Sequence, residues 1–331
     1  MIKDITHYID KIFSISNAWL FNELAVEIFH YQYLNNSIYR NFVDLLKIKP
    51  EKVKSIDDIP FLPVEFFKTH QIITGNNKIQ QIFLSSGTTG TEQSRHYITD
   101  ISIYESSFRK GFHYFYGNPE QYCFLALLPS YLERQNSSLI YMVEDLIKQS
   151  NHKDSGFYLH NTDELIEKLL ELDQAGQKVM LLGVSYALMD IVEKHPVKLK
   201  NTIVMETGGM KGKRKEMVRE ELHAILCKGF GVDVIHSEYG MTELLSQAYS
   251  KGNGIFQCPP RMKVLIRDTN DPFSFIGNSK TGGINIIDLA NINSCCFIST
   301  QDLGKTTENE CFEVLGRFDN SDLRGCNLMI G

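Results

Sequence analysis

Between residues 79 and 239 the chain alternates short apolar runs with longer stretches whose apolar residues return every three or four positions. The runs QQIFLSS, YCFLALLPS, GFYLH, KVMLLGV, NTIVMET and DVIHSEY predict strands. ISIYESSFRKGFHYF, SSLIYMVEDLIKQ, TDELIEKLLELDQAG, YALMDIVEKH and KRKEMVREELHAILCKGF predict the helices between them. Strands separated by helices imply a parallel sheet covered by helices. Upstream, Trp19, Leu20, Glu23, Leu24, Glu27 and Ile28, then Ile38, Phe42, Leu45 and Leu46, follow helical spacing to about Ile48. Pro50, Pro60 and Pro63 bias the residues before them away from helix, so IDDIPFLPVEFFKTH reads as an extended connection. Beyond about residue 254 the runs shorten to MKVLIRD, GINIIDL, CCFIST and CFEVLG, broken by Gly, Asn, Asp and Thr, and predict a β-rich close without a helix. The expected organisation is a helical opening and extended lead-in (1–78), an α/β core (79–254) and a β-rich segment with the C-terminal tail (255–331).

Composition bears on partners more than on fold. With 331 residues, 43% hydrophobic and 22% charged, the chain can bury a large core. The net charge is −6, and basic residues are scattered except at Lys211, Lys213, Arg214 and Lys215, which argues against nucleic acid as a partner. The first twenty residues lack a continuous apolar core and no long apolar window follows, so the expectation is a cytoplasmic protein without a membrane span. Seven cysteines stand at 123, 227, 258, 295, 296, 311 and 326, with no CxxC pair and no zinc-like histidine spacing. Neither a disulfide framework nor a structural metal is expected.

Four turn-like segments fall at or just beyond predicted strand ends, where open α/β sheets present their ligand sites: SSGTTG (85–90), TGGMKGKR (207–214), SEYGMTE (237–243) and TQDLG (300–304). In the first, Gly87 and Gly90 let backbone N–H groups approach phosphate oxygens, while Ser85, Ser86, Thr88, Thr89 and Thr91 add hydroxyl donors. It is not a Walker loop, because Gly90 is followed by Thr91 and Glu92 where Lys-Ser/Thr is required. The others offer the rest of a nucleotide site. Gly208 and Gly209 allow a planar ring against backbone, Tyr239 can stack on it, Glu243 can hold magnesium, and Asp302 can receive the ribose hydroxyls. Each also has a plain reading as a turn or packing residue; the signal is their joint occurrence.

In this order SSGTTG, EYGMTE, QDLG and GRFDNSD resemble the core motifs of the adenylate-forming superfamily of acyl-CoA synthetases, peptide-synthetase adenylation domains and luciferases. IDDIPFLPVEFFK resembles the lead-in of the phenylacetate-CoA ligase branch. LLPSYLERQNSSLIYM, ETGGMKGKR, HSEYGMTELLSQAY and LGRFDNSDLRGCNLM are similar to the acyl-protein synthetases of the bacterial luminescence fatty-acid reductase. The resemblance implies an α/β fold of the adenylate-forming N-terminal-domain type, lacking most or all of the mobile C-terminal domain, and ATP- and Mg2+-dependent activation of a carboxylic acid, by resemblance a fatty acid. It places Ser85, Ser86, Gly87, Thr88, Thr89 and Gly90 over the β and γ phosphates, and Glu238, Tyr239, Gly240, Met241 and Thr242 along adenine and the α-phosphate. It puts Glu243 on magnesium, Asp302 on the ribose and Arg317 near the ribose and hinge. His236 is a candidate neighbour of the acyl carboxylate, or a packed strand-end histidine.

The superfamily's loop carries Pro-Lys after its second glycine; here Arg95 is the substitute. Most members continue past the GRxD hinge into a domain with an adenylation lysine, whereas this chain stops at Gly331, so the expectation is that this lysine is absent, supplied by Lys211 or Lys213, or furnished by a partner. The resemblance also implies acyl transfer to a C-terminal cysteine and then to a reductase or carrier. Cys326 fits, and the neighbouring Arg324 favours its thiolate. Two other functions stay open: a non-catalytic acyl- or nucleotide-binding partner of a reductase or synthase, and a serine hydrolase or acyltransferase using Ser185 of Gly183-Val184-Ser185-Tyr186-Ala187, where Ala187 replaces the last glycine of the GxSxG elbow.

Overall fold

The computed structural model describes residues 5–85, 92–128, 136–158, 161–209, 214, 217–307 and 309–318. The chain opens with α1 (Ile5–Ile12), α2 (Ala18–Asn35) and α3 (Ser37–Leu45), then a short strand β1 (Leu62–Pro63) and a single turn α4 (Phe66–Thr69). A hairpin of β2 (Gln81–Leu84) and β3 (Arg95–Ile98) leads into α5 (Ile101–Tyr116). The alternating part follows: β4 (Cys123–Leu127), α6 (Ser138–Ser150), β5 (Gly156–Phe157), α7 (Thr162–Gln174), β6 (Val179–Val184), α8 (Ser185–Lys194), β7 (Thr202–Thr207), α9 (Arg219–Phe230) and β8 (His236–Tyr239). Six strands close the described chain: β9 (Ala248–Ser250), β10 (Ile255–Gln257), β11 (Met262–Arg267), β12 (Gly282–Asp288), β13 (Phe297–Thr306) and β14 (Phe312–Arg317).

All strands but the hairpin join one sheet in the order β11-β12-β13-β14-β10-β9-β8-β7-β6-β4-β5, with β1 on β13. β8, β7, β6, β4 and β5 are parallel, and β4 and β6 are buried at every position, as unbroken apolar runs require when helices cover both faces. From β8 to β9 the pairing turns antiparallel. In β13 burial alternates, with Thr300, Asp302 and Gly304 inward. The helices start where side chains serve their free N–H groups: Asn17 caps α2, Asp100 caps α5, Ser137 caps α6 and Asn161 caps α7.

Three expectations change. QQIFLSS does not enter the parallel sheet; β2 pairs antiparallel with β3, because only Phe83 of its four residues is buried and the run suits a half-exposed ribbon. TQDLG is strand, not turn, since its polar residues alternate faces within β13. The helix read from KRKEMVREELHAILCKGF begins at Arg219.

The opening helices are tied to the distant β-rich part. Gln32, fully buried on α2, donates to the carbonyls of Asn291 (3.1 Å), Ile292 (3.0 Å) and Ser294 (3.3 Å) and accepts from Cys296 N (2.9 Å). Phe29, Tyr39 and Phe61 surround Phe297 with ring centroids 6.0–6.4 Å away. Among the described residues no helix is long and apolar enough to cross a membrane.

Candidate active site

The parallel half of the sheet ends at β7 and β8, and their C-terminal ends carry two of the predicted segments. Thr207 closes β7 directly opposite Glu238 of β8, and its Oγ1 donates to Glu238 Oε2 at 2.5 Å. Gly208 and Gly209 follow with φ of 74° and 67°, consecutive left-handed positions that any other residue adopts at a cost. Among the described residues a Cβ on Gly209 would meet nothing within 4 Å.

Asp302 reaches Tyr239, at the end of β8, from the far side of the sheet. It stands directly opposite Arg317 in the β13–β14 ladder, and Arg317 Nε donates to Asp302 Oδ1 at 3.3 Å. The Tyr239 hydroxyl donates to Asp302 Oδ2 at 2.7 Å. Four inter-strand spacings separate β8 from β13, about 19 Å on a flat sheet at ~4.8 Å each, well beyond a tyrosine's reach. The sheet therefore curls between them. Phe256 of β10 and Phe312 of β14 stack at 5.4 Å inside the curl and meet the Tyr239 ring edge-on at 5.9 and 5.6 Å. Burial, then the Asp302 charge and hydrogen bond, raise the Tyr239 phenol well above its ordinary range, so it remains a donor.

The loop after Tyr239 is held from two sides. His96, buried on β3, donates from Nδ1 to the Thr242 carbonyl at 2.8 Å, and Asn291 Nδ2 donates to the Glu243 carbonyl at 2.8 Å. Burial takes the His96 imidazole down to about 4, against the hydrogen bond to Thr242, so it is neutral at physiological pH. Asp288, fully buried, accepts from Leu245 N and Ser246 N, both at 2.8 Å. Burial raises the Glu243 carboxyl, opposed by a hydrogen bond with Ser94 and the charge of Arg317, while Asp302 adds to the rise. A buried carboxyl with a second carboxylate acting on it gains from a hard cation, and Mg2+ takes one or two carboxylates together with phosphate oxygens. The residues present fit that ion.

Ser85 sits at the mouth of the hairpin, where its Oγ accepts from Ser94 N (2.9 Å) and its carbonyl from Gln93 Nε2 (2.9 Å). Arg95 is exposed at the start of β3, opposite Leu84. His236 begins β8, at the opposite end of that strand from the loop; its Nδ1 lies 3.1 Å from the Tyr116 hydroxyl, and burial, then Lys251, lower it to about 4. Gly240 and Met241 lie in the turn after β8. Ser86, Gly87, Thr88, Thr89, Gly90, Lys211, Lys213 and Cys326 lie outside the described residues.

Ser185 is 1% exposed, and its hydroxyl donates to Glu206 Oε2 at 3.0 Å. No histidine contacts that hydroxyl among the described residues. Burial raises the Glu206 carboxyl, but His223, Arg219 and Ser237 carry it down to about 2, so it is an anion ion-paired with Arg219. This is a closed polar cluster with a buried serine, not a nucleophile elbow. His96 and Asp288, which fix the loops, were not singled out by the sequence, and Thr207 entered only as the first residue of TGGMKGKR. Each is an ordinary polar residue in a strand or at its end, and only register gives it a partner.

Parallel strands ending in a glycine turn, met by residues returning from a curled antiparallel edge, give a fold shared with solved adenylate-forming ligases. 2-Hydroxyisobutyryl-CoA ligase, solved with 2-HIB-AMP and CoA, aligns with a TM-score of 0.67 over 92% of this chain and 70% of its own, at 13% identity. ATP-bound MatB from Rhodopseudomonas palustris aligns at 0.52 over 73% of this chain and 49% of its own, at 18% identity. The chain thus spans about half the length of MatB, and likeness at these identities concerns the fold. The family model for acyl-protein synthetase, LuxE, matches residues 10–331, and the chain belongs to that family. The long-chain-fatty-acid–luciferin-component ligase of Vibrio harveyi is 23% identical over 340 residues, covering 93% of this chain and 86% of the relative.

Proposed function

We propose that the chain activates a long-chain fatty acid with ATP and passes the acyl group to a thiol. The observation that carries this reading is the meeting of Tyr239, Asp302 and Arg317, which lie far apart in sequence, at the end of the strand β8 that pairs with β7, the strand leading into Gly208 and Gly209. In the proposed assignment adenine lies against the glycine turn. The Asp302 carboxylate, held by Tyr239 and Arg317, receives the ribose hydroxyls, and Thr242 faces the α-phosphate. Ser85 and the hydroxyls and glycines through Gly90 face the β and γ phosphates. Glu243 would hold Mg2+, whose charge offsets that building up on the departing pyrophosphate. The relatives support the substrates: the Vibrio harveyi enzyme is named for a long-chain fatty acid, and MatB was solved with ATP.

The fatty-acid carboxylate oxygen attacks the α-phosphorus, the bond to the β-phosphate bridging oxygen breaks, and pyrophosphate leaves. The acid now has AMP as its leaving group, where an oxide would have been required. A thiolate then attacks the acyl carbon, the acyl–oxygen bond breaks and AMP departs. Burial raises the thiols of Cys123, Cys227, Cys258, Cys295 and Cys296, which makes them poor nucleophiles at neutral pH. By resemblance to the acyl-protein synthetases, Cys326 beside Arg324 is the acceptor in this reading, from which a reductase or carrier takes the acyl group.

ATP–pyrophosphate exchange across fatty, aryl and amino acids tests the first step. Exchange that depends on a long-chain acid is expected; none with any acid would leave only a binding role. With labelled fatty acid and ATP, Cys326→Ser should abolish hydroxylamine-labile labelling of the chain while exchange continues.

A further inference from the structure

Along the β12–β13 ladder the register slips. Gly283 pairs with Leu303 and Asn285 with Ser299, so Ile284 alone stands against Thr300, Gln301 and Asp302. A bulge of this kind takes backbone groups out of the ladder and re-aims the side chains that it carries. One of them is Asp302, which meets Tyr239 and Arg317.

The bulge is filled from β11. Arg267, 8% exposed, reaches across β12 and donates from Nη1 to the Ile284 carbonyl and to Asn285 Oδ1, both at 2.8 Å, and from Nη2 to the Thr300 carbonyl at 2.6 Å. The planar fork of a guanidinium can serve acceptors on two strands at once. It crosses at Gly283, where a Cβ would collide with the Arg267 Cζ. From the other side the Phe318 ring lies over the guanidinium, its centroid 5.3 Å from Cζ, and Phe318 N donates to the Gln301 carbonyl at 2.8 Å. The Thr300 hydroxyl completes the arrangement, donating to the Ile284 carbonyl (2.9 Å) and accepting from Asp302 N (3.0 Å). Burial lowers the Arg267 guanidinium from its ordinary range, and the charges of Glu65 and Asp302 oppose that fall, so it stays a cation.

We infer that Arg267 is a positioning residue: by filling the β13 bulge, with Phe318 closed over it, it sets where Asp302 stands. The consequence for ATP rests on the assignment of Asp302 to the ribose; the effect on the bulge does not. Two measurements on the full chain test this. Without nucleotide, amide hydrogen exchange is followed by mass spectrometry in peptides covering 298–304. Arg267→Met should speed exchange there about tenfold, and Phe318→Leu, at a half-buried position where folding is not at stake, should act in the same direction but less. The second measurement compares Kd for ATP and 3′-deoxy-ATP by calorimetry. The wild-type preference for ATP should shrink about fivefold in Arg267→Met, whereas a general loosening would weaken both nucleotides equally. Unaltered exchange in both variants, or faster exchange with the preference intact, would overturn the proposal. A wild type that binds both nucleotides alike would instead remove the ribose role of Asp302, and exchange alone would then decide for or against Arg267.

Discussion

Asp302 carries the most of the proposed site, because one carboxylate organises two neighbours and is the residue assigned to the ribose. Hydrogen bonds to a charged group contribute ~1.5–3 kcal/mol, so Asp302→Ala should raise KM for ATP roughly tenfold to a hundredfold, with the KM for acid little changed. Tyr239→Phe removes only the bond that orients the carboxylate, and about a fivefold rise is expected from ~1 kcal/mol. An unaltered ATP KM in Asp302→Ala would take the ribose role away. The sequence made Tyr239, Asp302 and Arg317 visible as motif residues, but not their contacts. Asp302 and Arg317 meet through β13–β14 register, and Tyr239 through the curl of the sheet, neither of which leaves a local pattern. The Thr207–Glu238 and His96–Thr242 bonds escaped notice for the same reason.

At the level of elements, unbroken apolar runs marked the parallel strands well, since burial on both faces leaves no alternative composition. β9 and β10, three residues each, are too short to show a period, and β2 looked like a parallel strand because a run of four cannot reveal which face is buried. The attachment of α2 was equally hidden: Gln32 reads as a surface glutamine, yet it satisfies three carbonyls and one N–H beneath β13. Gln32→Leu keeps the volume and strips those partners, and urea unfolding should show a loss of about 2–4 kcal/mol. A loss under half a kcal/mol would mean that the helical opening docks by apolar contact alone.

For the whole molecule, buried histidines link stability to pH. His96 and His236 titrate near 4 in the fold against an ordinary 6.5. As pH falls below 6.5 the unfolded chain binds protons that the folded chain refuses. Their contribution is complete above 6.5 and is lost toward 4, at no more than about 1.4 kcal/mol per pH unit each. Glu243 and Asp288, raised by burial, act in the opposite sense. The urea midpoint should therefore fall between pH 7 and pH 5, and His236→Gln should flatten that fall; an identical slope in the variant would assign the effect elsewhere.

The central claim is that a fatty-acid oxygen attacks the α-phosphorus of ATP at the curled end of the sheet. It is tested most directly with the acid labelled with ¹⁸O in its carboxylate, turned over with ATP, and the nucleotide product examined by mass spectrometry. Attack at the α-phosphorus followed by acyl transfer leaves one heavy oxygen in the phosphate of AMP, and that is the predicted result. Unlabelled AMP, or ADP formed with the label in inorganic phosphate, would contradict it.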